Sequence, residues 1–275
     1  MPQKPEVTIT AKLYSIAEQL IAVGREGLQY YVNEWNKLQH EKLVELGSKL
    51  YDILNSASTA GLGDLHKTDD PEVDFLKELR IISKDLENIT DAGRNDYLNP
   101  YVERHYQTTL ELYSEINSIL ENKPLILSTD FKDVSDFTTP LIGAEAAVFR
   151  NGRLLLVQRH DDRLWAVPGG ANDVGSTLTE TALRELEEET GLRGKVIRLL
   201  GIFDSRLWGS KLKKQIYHVI FEVESEEEEP EKTIEAHDYG FFGKDELPHL
   251  SPGHDLRVPF LFELLHDESR IPYYD

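Results

Sequence analysis

Three glutamates lie close together within residues 168–192 of the sequence. Glu185 and Glu188 are three residues apart, and Glu185 and Glu189 are four apart. On a helix, these spacings place all three carboxylates on one face. Such a cluster repels itself unless a cation lies within it, and carboxylate oxygens are ligands that suit Mg²⁺ or Mn²⁺. The alternative interpretation is a solvated acidic helix face, which is what a run of like charges usually forms.

The residues around the glutamates favour the cation site. Thr177 or Thr179 can cap the start of the helix, and Gly191 can end it. Arg184 lies one helical turn before a glutamate of the cluster, so it can brace a carboxylate from the side. Gly170 allows the backbone to pass close to a metal ion, with its carbonyl oxygen as a further possible ligand.

The order of these residues resembles the Nudix box, G-x5-E-x7-R-E-U-x-E-E-x-G-U, in which U is a bulky apolar residue. The matching positions are Gly170, Arg184, Glu185, Leu186, Glu188, Glu189, Gly191 and Leu192. Ser176 stands where the pattern has its first glutamate. This departure affects how the loop before the helix is expected to be anchored and how tightly the site is expected to bind a metal. The resemblance implies that Glu185, Glu188 and Glu189, with the Gly170 carbonyl, hold a divalent metal and that Arg184 supports them.

The resemblance extends beyond the box. Residues 199–204, 235–248 and 250–253 resemble the bacterial branch of the Nudix hydrolases that includes CDP-choline and ADP-ribose pyrophosphatases. Residues 26–54 resemble the small helical domain that precedes the catalytic domain in that branch. There the helical domain takes part in dimer formation, so the resemblance implies a homodimer.

Apolar residues at helical spacing predict four amphipathic helices in the first part of the chain. The predicted helices are residues 9–28, 36–54, 71–89 and 100–120, with Pro71 and Pro100 as the first residues of the last two. Residues of the first pair recur in the second pair at an offset of 66, for example from Leu20 to Leu86. We therefore predict that residues 1–123 form an all-α domain made of a duplicated helical hairpin. This domain is expected to take part in dimerisation and to shape the substrate entrance.

A linker of residues 124–138 and a second domain of residues 139–275 are expected to follow. Apolar runs predict strands at residues 141–150, 153–158, 164–167, 195–203, 215–223 and 239–242, and a terminal helix at residues 255–265. The resulting fold class is α+β, a Nudix-type α/β/α sandwich with a mixed sheet preceded by an all-α domain.

Composition limits the partners. The formal net charge of −20 disfavours nucleic acid and anionic membrane surfaces. The chain has no cysteine and no apolar run long enough to span a membrane, which suits a cytoplasmic protein. An acidic chain still binds a phosphorylated small molecule if divalent cations bridge the two.

These features together predict metal-dependent hydrolysis of the pyrophosphate bond in a nucleoside diphosphate that is linked to another moiety, such as CDP-choline or ADP-ribose. One glutamate must accept the proton of the attacking water. The resemblance leaves two candidates, Glu185 and a residue on a distal loop, for which Glu235 is proposed.

Contacts with the substrate are expected from Arg150 and Arg159 at strand ends, and from Trp208, which could stack on a base or cover a choline cation. Each of these side chains has an ordinary structural alternative, as a solvated charge or as a loop anchor. The alternative function is a non-catalytic Nudix-like module that senses a nucleotide.

Overall fold

The computed structural model describes residues 8–30, 33–59, 75–93, 100–121, 139–225, 229–266 and 271–275. The chain divides into two compact units, Met1–Ser135 and Asp136–Asp275. The predicted linker and the predicted helix start at Pro71 lie outside the described residues. None of the described helices is both long enough and apolar enough to cross a membrane.

The described residues of the N-terminal unit form four helices arranged as two hairpins: α1 (Ile9–Tyr30), α2 (Glu34–Thr59), α3 (Phe75–Gly93) and α4 (Pro100–Glu121). Their apolar faces form one core cluster. Leu20 and Leu86, which share the offset of 66 residues, are both fully buried, and so are Leu50 and Ile116. The repeated sequence positions therefore occupy repeated core positions.

The C-terminal unit is built on a mixed sheet, in which the described residues contribute eight strands. The strands are β1 (Leu141–Arg150), β2 (Arg153–Arg159), β3 (Trp165–Ala166), β4 (Gly169–Ala171), β5 (Gly194–Asp204), β6 (Ile216–Ser225), β7 (Ala236–Phe242) and β8 (Tyr273–Tyr274). The main order is β3-β2-β1-β6-β5-β8, while β4 pairs with β1 and β7 pairs with β2. The β1–β6 and β5–β8 pairs are parallel, and the other pairs are antiparallel.

Helices cover both faces of this sheet. Helix α5 (Leu178–Thr190) buries Ala182 and Leu186 against alternate residues of β1, and helix α6 (His254–His266) buries Val258 and Leu261 on the other side. Successive side chains of a strand point to opposite faces of the sheet, so the buried apolar residues form two separate hydrophobic clusters, one under each helix. The predicted α+β class and the α/β/α sandwich are confirmed.

Two short strands were absent from the sequence-based prediction. Gly169–Ala171 was predicted as a glycine turn, but it forms β4 against Gly143–Glu145 of β1. Glycine has a low strand propensity, so tertiary pairing rather than local preference decides its conformation here. Strand β8 has two residues, too few for any periodic pattern.

Candidate active site

Helix α5 presents the three glutamates, and its two ends are fixed by local contacts. Thr177 is the N-cap: its hydroxyl accepts a hydrogen bond from the Glu180 backbone N–H, and the Glu180 side chain accepts one from the Thr177 backbone N–H. The helix ends at Gly191, whose left-handed φ of 71° suits a glycine.

Arg184 is the centre of an ion-pair group on this helix. Its guanidinium lies 3.1 Å from an Asp173 carboxylate oxygen and 2.8 Å from Glu185, and it also pairs closely with Glu188. The side chain of Glu185 is only 13% exposed. Arg184 therefore joins the loop before α5 to two of the three glutamates on the helix.

The two glycines of β4 bring the backbone against the carboxylates. The Gly169 backbone N–H donates a hydrogen bond to Glu189 Oε2 at 3.0 Å. A Cβ atom at Gly170 would lie 2.5 Å from Glu185 Oε1, closer than real Cβ atoms approach other atoms. A side chain at Gly170 would therefore displace the Glu185 carboxylate, and the strand passes directly beside this glutamate.

The glutamates are held in an environment that disfavours their negative charges. Burial raises the pKa of Glu185 to about 7, with further contributions from Glu188 and Glu235, although Arg184 opposes the shift. Burial also raises the pKa of Glu189 well above its usual range, and the charges of Glu185 and Glu235 add to this effect. A divalent cation would relieve this repulsion, so the donor set fits a metal such as Mg²⁺ or Mn²⁺.

The carboxylates of the three α5 glutamates are not grouped around one point. Within the described ranges, no three acidic or histidine side chains are already gathered as a metal-binding group. Arg184 pairs with both Glu185 and Glu188, and this pairing holds the two carboxylates in place.

Glu235 lies directly before β7, which begins at Ala236 instead of the predicted residue 239. Thr233 connects it to α5: the Thr233 hydroxyl donates to the Glu189 carbonyl at 3.3 Å and accepts from the Glu235 N–H at 3.1 Å. Glu235 also raises the pKa of both Glu185 and Glu189. The tertiary structure thus brings Glu235 near glutamates that lie 46 and 50 positions earlier in the sequence.

The loop around Ser176 is held by other residues in place of the glutamate of the box pattern. The Asn172 side-chain amide donates to the carbonyl oxygens of Asp173 and Ser176, at 3.0 and 3.2 Å. Its carbonyl oxygen accepts a hydrogen bond from the Thr181 hydroxyl at 2.7 Å. Asn172 therefore anchors this loop to the first turn of α5.

The three predicted substrate contacts have different positions. Arg159 lines a cavity of about 230 Å³ and is electrostatically linked to Glu189. Trp208 lines the same cavity. Arg150 binds the Ser225 hydroxyl and lies over the Phe241 ring at the far end of β1, so the structure does not bring it to the carboxylates.

A buried group of charged side chains beside this cavity was not identified from the sequence. Glu145 accepts a hydrogen bond from Arg257 at 3.0 Å and lies 2.7 Å from Nδ1 of His218. Burial alone would raise the pKa of Glu145, but Arg257, His254 and His218 outweigh it and hold the pKa well below its usual range. Burial, with the charge of Arg257, lowers the pKa of His254 to about 3, so this imidazole is neutral and Arg257 is the lasting positive charge.

A weak sequence signal for this group existed. Glu145 interrupts the apolar run of β1, and a charged residue within a buried strand requires a partner. Its partner Arg257 lies 112 residues later, and only the tertiary structure identifies it.

Comparison with known proteins agrees with this geometry. Residues 140–264 match the model of the NUDIX domain family. A curated relative, the putative ADP-ribose pyrophosphatase YjhB of Bacillus subtilis, is 29% identical over 191 residues, 68% of this chain and 92% of the relative. An ADP-ribose pyrophosphatase of Methanocaldococcus jannaschii is 27% identical over 137 residues, 49% of this chain and 80% of the relative.

Among solved structures, a UDP-X diphosphatase superposes with a TM-score of 0.58 at 28% identity, covering 72% of this chain and 98% of that chain. The similarity to this structure and to YjhB covers more of the chain than the C-terminal unit contains, so it extends into the helical unit. Residues 140–264 therefore form a hydrolase domain of the NUDIX family, and the chain is similar to proteins named as ADP-ribose pyrophosphatases.

Proposed function

We propose that this chain hydrolyses the pyrophosphate bond of a nucleoside diphosphate linked to a second moiety, giving a nucleoside monophosphate and a phosphorylated product. The main support is the group formed by Glu185, Glu189 and Glu235 beside the Gly169–Gly170 backbone, in which Glu235 raises the pKa of both other glutamates and Glu185 raises that of Glu189. The curated relatives named as ADP-ribose pyrophosphatases support ADP-ribose as a substrate to test first.

Glu185, Glu188 and Glu189, with the Gly170 carbonyl, are the proposed ligands of Mg²⁺ or Mn²⁺. When bound, such an ion screens the phosphate oxygens and lowers the pKa of a coordinated water. One of two glutamates, Glu185 or Glu235, would accept the proton of the attacking water. Arg184 holds the carboxylates of Glu185 and Glu188 in position through its ion pairs with them.

The test compares two glutamates of the same helix. Glu189→Gln keeps the size of the side chain and removes its charge, so kcat should fall by roughly a hundredfold or more with Mg²⁺ and ADP-ribose. Glu187→Gln is the matched control, because Glu187 is 48% exposed and pairs with Arg193 outside the group. Equal turnover by the two variants would show that the metal and the reaction are located elsewhere.

We also propose that the chain forms a homodimer through its helical unit. Among the described residues of that unit, Leu38, Ile81 and Leu110 are large apolar side chains that are 59%, 40% and 39% exposed. Replacement of all three by Gln should reduce the mass measured by light scattering to that of a monomer. A monomeric parent chain would refute this proposal.

A further inference from the structure

A tight turn lies directly before α5, at residues 173–176. The Ser176 backbone N–H donates to the Asp173 carbonyl at 3.1 Å, and Gly175, the third residue of the turn, has a φ of 92°. This combination is that of a type II turn, whose first and last Cα atoms lie within about 7 Å of each other. Positions 173 and 176 are therefore neighbours in space.

Asn172 fixes this turn to two elements of the unit. Its side-chain amide donates to the carbonyl oxygens of Asp173 and Ser176, at 3.0 and 3.2 Å, and so it holds both ends of the turn. Its backbone N–H donates to the Ile142 carbonyl of β1 at 3.0 Å, and its side-chain oxygen accepts from the Thr181 hydroxyl of α5 at 2.7 Å. Hydrogen bonds therefore set the place of Asp173 relative to the helix.

Asp173 directs its carboxylate to the guanidinium of Arg184. One nitrogen, Nη2, lies 3.1 Å from Asp173 Oδ2 and 2.8 Å from Glu185 Oε1, and the other terminal nitrogen pairs with Glu188. Because the donors of a guanidinium have a fixed, planar fork geometry, a contact on one nitrogen also sets the direction of the other. From outside the helix, Asp173 therefore orients the group that holds two glutamates of α5.

An acidic residue is retained at this turn, but at its other end. The Nudix box has a glutamate at the position of Ser176, and here a carboxylate comes from Asp173, three residues earlier. A glutamate at position 176 would start from a neighbouring point of the backbone, and its side chain has one more methylene group than that of aspartate. A carboxylate from either end of the turn can therefore reach the Arg184 guanidinium.

The Asp173–Arg184 pair is only partly buried, with side chains that are 33% and 24% exposed. Exposed ion pairs add little to stability. In contrast, removal of a group that orients the ligands of a metal typically lowers metal affinity or activity by about 10–100-fold. The effect of Asp173 is therefore expected on the glutamates and not on folding.

We propose that Asp173 is a positioning residue of the candidate metal site, in place of the glutamate that the box pattern has at position 176. Through Arg184 it holds the carboxylates of Glu185 and Glu188 in position. The inference rests on the proposed function for the role of these glutamates as metal ligands, but binding of the metal can be measured without hydrolysis.

The first experiment titrates Mn²⁺ into the full-length chain without substrate and follows the free ion by electron paramagnetic resonance. Asp173→Asn should weaken Mn²⁺ binding by about tenfold, because the guanidinium loses its contact outside the helix. Glu246→Gln is the matched control: it also removes one negative charge from an ion pair, 2.9 Å from Arg153 at the start of β2, and should leave the affinity unchanged. Equal Mn²⁺ affinities of Asp173→Asn and the parent chain would refute the proposal.

A double-mutant cycle separates positioning from direct attraction between the Asp173 charge and the cation. If Asp173 acts through Arg184, Asp173→Asn should change the Mn²⁺ affinity by less than about twofold in an Arg184→Gln background. An undiminished loss in that background would show direct attraction and overturn the positioning role.

A glutamate at position 176 tests whether the two ends of the turn are interchangeable. Asp173→Asn combined with Ser176→Glu should recover the Mn²⁺ affinity to within about threefold of the parent chain. Asp173→Asn combined with Ser176→Gln, which has the same length without the charge, should not recover it. Equal affinities of these two double variants would contradict the exchange of position.

Hydrolysis of ADP-ribose and CDP-choline distinguishes this inference from the proposed function. Asp173→Asn should lower kcat with little change in KM, because Asp173 acts on the glutamates and not on the substrate. If the parent chain hydrolyses neither compound, although Asp173→Asn weakens Mn²⁺ binding and Ser176→Glu restores it, the proposed function alone fails. If the parent chain is active and Asp173→Asn matches it in both kcat and Mn²⁺ affinity, the inference alone fails.

Discussion

Removal of the buried negative charge at Glu145 should strongly destabilise the C-terminal unit. The side chains of Glu145 and Arg257 are 6% and 2% exposed, and their N···O distance is 3.0 Å. Loss of one partner from a buried ion pair costs about 3–5 kcal/mol, because the other charge remains uncompensated. Arg257 still donates to the Gly253 carbonyl and contacts His254, so we expect the lower end, about 3 kcal/mol, for Glu145→Gln.

Urea unfolding can measure this loss in the C-terminal unit alone. Trp165 and Trp208 report on that unit if Trp35, which stacks on Tyr106 in the helical unit, is first replaced by Phe. A loss of about 3 kcal/mol corresponds to a decrease of roughly 1.5 M in the urea midpoint for an m-value of about 2 kcal/mol/M. Since the pKa of Glu145 is lowered on folding, its stabilising contribution is complete above the unfolded value of about 4.3 and is lost as the pH falls below it.

A surface ion pair provides the control. Lys244 and Glu263 are 3.2 Å apart and are 47% and 61% exposed, so Glu263→Gln should change the free energy of unfolding by less than about 1 kcal/mol. Glu145→Gln combined with Arg257→Met should cost about 2 kcal/mol less than the sum of the single changes. If Glu145→Gln lowered the urea midpoint no more than Glu263→Gln does, the claim that the buried Glu145–Arg257 pair strongly stabilises the C-terminal unit would be wrong.

Three further predictions concern other parts of the chain. Gly170→Ala places a Cβ atom 2.5 Å from Glu185 and should lower kcat by at least about tenfold, whereas Gly243→Ala, with 3.6 Å to its nearest neighbour, should have no effect in the same assay. Ser176→Glu should preserve or improve metal affinity, as seen in a metal titration of activity, and a large rise in the metal requirement would contradict this. Burial and the nearby His105 lower the pKa of His40 to about 4, so the helical unit should lose stability as the pH falls from about 6.5 to 4, by about 3 kcal/mol. Helical circular dichroism during urea unfolding should record this loss in the parent chain and not in His40→Gln.

The sequence alone predicted the NUDIX domain, the fold class and the order of most elements. The box residues match the family by type and spacing, and a helix with a threonine cap and a terminal glycine follows from local rules. Hydrophobic periodicity predicted α1, α2, α3 and α4 and most of the strands, because burial of one face imposes a period on the chain. The anchoring of the Ser176 loop by Asn172 followed no pattern of this kind.

Only the tertiary structure decided which distant residues meet. Strand β4 forms because its backbone pairs with that of β1, although its glycines have a low strand propensity. The loop of Glu235 is tied to α5 through Thr233, and Glu145 finds its charge partner on α6. Hydrophobic patterns fix which face of an element is buried, but they carry no information on which charged side chains share that interior. The pKa values of the glutamates follow from these contacts, since burial and neighbouring charge arise only when the chain is packed.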